Sequence, residues 1–192
     1  MTTAGADRRR SPGSAARPER RAGRAGAGVP VGERAGLALF AYGTLMFGDI
    51  VEALLGRRPA FTAAVIAGWR AARLPGRVYP GLVPAAGRRA SGLLLSGLCA
   101  AEWALLDDFE GDAYVLCPVE TETLGGTAAP GCLIGGDGLG RGSGPAGEAA
   151  RGALAYAWRA VDDVEEGDWD SGWFASHCLG RYAARLRLGA DG

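Results

Sequence analysis

Residues 37–42 form an uninterrupted apolar run, which reads as a buried strand, and it breaks into Gly43-Thr44. Residues 49–55 follow as a short helix, with Asp49 as its expected N-cap and Gly56 closing it. Strands are expected over 63–69, 77–79 and 91–95, each bounded by Gly or Pro. In 101–109 the apolar positions Trp103, Leu105, Leu106 and Phe109 recur at helical spacing. Residues 114–123 alternate as a strand, with Val115, Cys117 and Val119 on one face. A further strand covers 154–159. A terminal helix covers 170–188, with Phe174, Leu179, Tyr182 and Leu186 on its inner face. Five or six short strands with two or three helices predict an α+β fold, a small mixed sheet curled into a barrel with flanking helices.

Two segments break the pattern. Residues 1–34 carry eight arginines against three acids and almost no large apolar side chains, so disorder is expected there. The same composition also fits a plastid or mitochondrial transit peptide. Residues 125–152 hold eleven glycines in 28 positions and read as a low-complexity insert. The domain is therefore expected over 35–188. Within the insert, Gly142, Gly144 and Gly147 match a GxGxxG pattern. They follow no strand and flank Pro145, which removes the context a dinucleotide loop needs.

Composition narrows the chemistry. The chain lacks lysine, so it contains neither a phosphate-loop lysine nor a Schiff-base lysine. Beyond residue 34 the charge is net negative, which argues against a nucleic-acid partner. Cys99, Cys117, Cys132, Cys178 and the single His177 show no metal-ligand spacing, so no metal site is expected. The cysteines read as reduced thiols of a cytoplasmic protein. No apolar run approaches the ~20 residues of a membrane span, and no signal-peptide core follows Met1. Ser171 and His177 lie close in sequence, but a serine hydrolase would need a GxSxG turn that is absent.

Two stretches carry candidate chemistry. The turn of Tyr42, Gly43, Thr44, Leu45, Met46 and Phe47 links a strand to a helix, an arrangement that gathers amide donors toward an anion. The stretch LLDDFEGDAY crowds Asp107, Asp108, Glu110 and Asp112 beside Leu106, Phe109 and Tyr114. A carboxyl turned inward there would be desolvated and its pKa raised toward neutrality, suiting general acid–base work.

YGTL at 42–45, with LDDFEGDAY at 106–114, resembles the paired motifs of the gamma-glutamylcyclotransferase-like superfamily, in its avirulence-induced-gene-like branch. GRRP at 56–59, GWRAARLPGRVYPGLVP at 68–84, GLLLSGL at 92–98, AYAW and GDWDSGWFASHCLGRY extend the resemblance over most of 37–188. The resemblance implies Glu110 as proton acceptor and donor. It also implies substrate binding by Tyr42, Gly43, Thr44, Leu45, Met46 and Phe47, with Tyr79 and Tyr114. The implied reaction releases 5-oxoproline from a small γ-glutamyl peptide or amine and uses no cofactor. The alternative is a catalytically idle member of the fold that binds a small ligand or partner through the same pocket.

Overall fold

The computed structural model describes residues 29–124 and 152–189. Six strands form one mixed sheet: β1 (Ala38–Ala41), β2 (Ala60–Arg73), β3 (Pro80–Ser96), β4 (Tyr114–Val119), β5 (Thr121–Thr123) and β6 (Ala153–Trp158). Four helices accompany them: α1 (Gly48–Leu55), α2 (Ala100–Glu110), α3 (Ser171–His177) and α4 (Leu179–Gly189). The sheet order is β4-β6-β1-β3-β2-β5, with β6 parallel to β1 and the other neighbouring pairs antiparallel. β3 also meets β6 directly, through Leu82 and Ala157. One long strand thus touches β1 along its second half and β6 near its start, which rolls the sheet into a half-barrel. The expected α+β class with a curled mixed sheet is what the chain adopts.

β1 and β6 are buried at every position, as befits central strands covered on both faces. One core cluster joins Leu39, Phe47, Ile50, Trp103, Leu106 and Phe174 between the sheet and the helices. A second joins Phe40, Ile66, Leu82 and Leu94 on the other face.

Several local expectations change. β2 and β3 are far longer than the alternation suggests. They pair from Ala60↔Ser96 to Arg73↔Pro80, with a register shift at Gly68, whose φ is +79°. Residues 77–79 belong to the connection between these strands and are not a strand themselves. α1 starts at Gly48 with Phe47 as its N-cap, and Asp49 receives Arg58 instead of capping. Gly56 closes the helix in the left-handed region, as its position suggested. The 114–123 stretch divides into β4 and β5. The deeply buried positions of β4 are Tyr114 and Leu116, while Val115, Cys117 and Val119 are half-buried, Val119 against the second core cluster. The terminal helix breaks at Cys178 into α3, capped by Asp170, and α4. Phe174 and Leu179 are buried as the spacing predicts, with Tyr182 and Leu186 packed against the same core.

The described residues include the end of the arginine-rich stretch. Arg34, the last residue of the arginine-rich stretch, is buried, donates to the Val29 carbonyl and pairs with Asp107. Residues 1–28, 125–151 and 190–192, and with them all of the glycine-rich insert but Gly152, lie outside the described residues. Among the described residues, no helix is long and apolar enough to cross a membrane.

Candidate active site

β1 delivers the chain into the turn at Tyr42, and α2 delivers Glu110 to the same place. Glu110 follows Leu106 by four residues and Trp103 by seven, so helical periodicity puts it on the buried face of α2. Gly111, at φ +63°, then turns the chain into β4. The result is a cavity of about 180 Å³ lined by Tyr42, Gly43, Thr44, Leu45, Tyr79, Pro80, Glu110, Tyr114, Tyr156 and Tyr182, among others.

Of the four clustered acids, Glu110 alone lines the cavity. Asp108 and Asp112 are exposed, and Asp107 is held by Arg34 and by the Tyr156 hydroxyl at 2.6 Å. No group among the described residues donates a hydrogen bond to Glu110. Surrounding protein desolvates its carboxyl and pushes the pKa up to about 8, while the cavity leaves the side chain partly accessible.

Most of the tyrosine hydroxyls in this wall are already engaged. Tyr42 donates to the Tyr156 carbonyl at 2.7 Å and accepts from the Leu82 amide at 3.2 Å. Tyr114 donates to the Pro80 carbonyl at 2.7 Å. The Tyr79 hydroxyl accepts from Arg77. Tyr182 is different, because its hydroxyl has no partner among the described residues. Burial pushes its pKa up to about 12, with Glu110 and Tyr79 adding to the rise and Arg185 opposing it.

The turn forms a single 3-10 turn, Thr44–Met46, whose Met46 and Phe47 amides bond back to Gly43 and Thr44. The first amides of such a turn have no partner within it. Those of Thr44 and Leu45 find no acceptor elsewhere among the described residues. Gly43 is not in the left-handed region, having φ −130°. Its role is to give room, since a Cβ would come within 2.6 Å of the Pro80 ring.

The expected substrate residues divide accordingly. Tyr42, Gly43, Thr44, Leu45, Tyr79 and Tyr114 line the cavity; Met46 and Phe47 do not. Phe47 is fully buried, with its ring 5.2 Å from Phe174 and 6.5 Å from Trp169, and Met46 packs against the same core. Both lie on the core side: Met46 is rotated a third of a turn from Leu45, and Phe47 leaves the turn in an extended conformation, with φ −92° and ψ 120°. Sequence reasoning missed Tyr156, Tyr182, Phe109 and Pro80 as cavity residues. Tyr182 had a signal, its place on the inner face of the terminal helix. No group of three or more metal-ligating side chains occurs among the described residues.

Residues 39–171 match the family model described as gamma-glutamyl cyclotransferase, AIG2-like. The chain belongs to this family. It is 38% identical to AIG2-like protein C of Arabidopsis thaliana over 81 residues, covering 42% of this chain and 47% of that protein. With AIG2-like protein D of the same plant the identity is 38% over 77 residues, 40% of this chain and 51% of the relative. The chain therefore spans about half the length of the curated relatives it matches. A solution structure of an Arabidopsis thaliana protein shares the fold, with a TM-score of 0.52 at 21% identity, covering 78% of this chain and 87% of that one. Within the AIG2-like family frame, the cavity joins the two motif-bearing stretches, residues 42–45 and 106–114, in one place.

Proposed function

We propose that this AIG2-like family member is a gamma-glutamylcyclotransferase that releases 5-oxoproline, with Glu110 as general acid–base. The observation that carries this reading is the unpartnered Glu110 carboxyl in the cavity, with its pKa pushed up to about 8. A group poised near neutrality can both accept and return a proton at working pH.

The substrate's α-amine attacks its own γ-carbonyl. A five-membered lactam ring forms, and the bond to the leaving nitrogen breaks. Glu110 takes a proton from the attacking nitrogen and delivers it to the departing amine, so the enzyme ends as it began. Because the two reacting groups share one molecule, holding them in the cavity supplies much of the acceleration. The free Thr44 and Leu45 amides supply donors for the oxyanion of the tetrahedral intermediate, a contribution of roughly 3–4 kcal/mol for a single donor in other enzymes. The chemistry calls for no cofactor and no nucleophilic side chain.

The test is 5-oxoproline formation from γ-glutamyl compounds by the wild type and by Glu110→Gln. The amide keeps the shape and loses the basic oxygen, so turnover should fall by roughly 10²–10⁴-fold. Wild-type turnover in the variant, or no 5-oxoproline from any γ-glutamyl compound, overturns the proposal.

A further inference from the structure

Next to the Glu110 cavity lies a second, shallower recess of about 250 Å³, lined by Val78, His177, Cys178, Arg181, Tyr182 and Arg185. Tyr182 belongs to both walls, so one residue lies between the two spaces. Arg181 and Arg185 stand one helical turn apart on α4 and are both exposed. Arg70, Arg73, Arg88 and Arg89 each have a carboxylate partner. Arg181 and Arg185 have none among the described residues; the only recorded contact of Arg181 is a long 3.5 Å bond to the His177 carbonyl. The recess includes no acid. Two neighbouring guanidiniums without a counter-charge, in a hollow opening beside a reaction cavity, are suited to hold a carboxylate.

We infer that this recess is the subsite for the leaving portion of the substrate, and that it selects γ-glutamyl compounds whose leaving amine carries a carboxylate, namely γ-glutamyl amino acids and peptides over neutral γ-glutamyl amines. The inference rests on the cyclotransferase reading for the placement of the glutamyl end. In that placement the scissile bond lies at Glu110, and the leaving portion extends past Tyr182 toward Arg181 and Arg185. Tyr182 then marks the boundary between the two halves of the ligand, its free hydroxyl available to the peptide group.

Binding tests this without depending on turnover. Calorimetry with the Glu110→Gln protein compares γ-glutamylglycine with γ-glutamylmethylamine, which lacks the carboxylate on the leaving side. γ-Glutamylglycine should bind about tenfold more tightly or better, the worth of one charge-assisted contact. Adding Arg181→Ala and Arg185→Ala should bring the ratio of the two dissociation constants close to one. Arg181→Lys with Arg185→Lys should restore part of it. Equal affinities in the starting protein, no binding of either compound, or a preference that survives the alanine pair overturns the subsite. Discrimination lost with the arginines, in a protein whose wild type forms no 5-oxoproline, upholds the subsite and removes the catalytic reading alone.

Discussion

Arg34 places Nη1 2.9 Å and 2.8 Å from the two carboxylate oxygens of Asp107, joining the segment before β1 to the last turn of α2. Asp107 lies three residues before Glu110, and its other contact is the hydroxyl of Tyr156, a cavity residue. The guanidinium also lies 5.3 Å from the centre of the Trp103 ring. An arginine from a stretch that reads as a tail is thus a buried brace behind the candidate active site.

Removing that brace should be costly. Arg34→Ala leaves Asp107 without its cation and opens the Trp103 surface. Losing one partner of a buried pair costs about 3–5 kcal/mol, reduced here to roughly 2 kcal/mol because Asp107 is one-third exposed. Denaturant unfolding of Arg34→Ala, Asp107→Asn and the double variant measures the coupling. Additive effects would show that the pair contributes nothing as a pair. A truncation that removes residues 1–34 should reproduce the loss.

Glu110 makes stability depend on pH in an unusual direction. In the unfolded chain a glutamate titrates near 4.3, whereas in the folded protein it titrates at about 8. Between these values the native state holds a proton that the unfolded state has released, so stability falls as pH rises, by up to about 1.4 kcal/mol per unit. Glu110→Gln should abolish this decline and be the more stable protein at pH 8. Melting temperatures of both proteins from pH 5 to 8 decide it, and parallel curves would show that Glu110 titrates normally.

The same titration governs the proposed reaction. A general base must be ionised in the free enzyme, so kcat/KM for 5-oxoproline formation should climb with pH, with its acidic limb centred at about 8. Asp108→Asn, which changes an exposed acid of the same helix, should leave that limb in place. A rate already flat from pH 5 upward would assign proton transfer to another group.

Gly43 is fitted to Pro80. With the Cβ of an alanine 2.6 Å from the proline ring, either the turn or the start of β3 must shift. Gly43→Ala should cost roughly 1–3 kcal/mol, the usual price of overpacking, and should weaken ligand binding through the displaced Thr44 and Leu45 amides. An unchanged melting temperature would show that the turn has slack.

Tyr42 is a scaffold residue whose ring happens to face the cavity. Its hydroxyl bonds the Tyr156 carbonyl and the Leu82 amide, both buried. Tyr42→Phe should destabilise the protein by about 1–3 kcal/mol by stranding those two groups. An effect on substrate affinity without one on stability would make Tyr42 a ligand contact instead.

The sequence by itself determined what local chemistry controls. The helical spacing of Trp103, Leu106 and Phe109 is written in the chain, so α2 is legible without coordinates, while the paired motifs, and not the spacing, single out Glu110 among its neighbouring acids. The same holds for β6, whose short unbroken apolar run suits a buried strand, and for Gly56, whose left-handed cap needs no distant partner. The paired motifs, 42–45 and 106–114, also point to one family before the sheet is known. The tertiary structure alone decided what depends on partners far along the chain. Arg34 looks like its seven tail neighbours until Asp107, 73 residues away, gives it a counter-charge. Phe47 and Met46 share a motif with Thr44 and Leu45, yet both pack into the core, Phe47 because the backbone leaves the 3-10 turn extended at that residue. Gly43 is required by Pro80, and Tyr182 shares a cavity with Glu110 only because α4 packs back against α1. Periodicity reports which face of an element is apolar; it carries no information about which distant residue that face will meet.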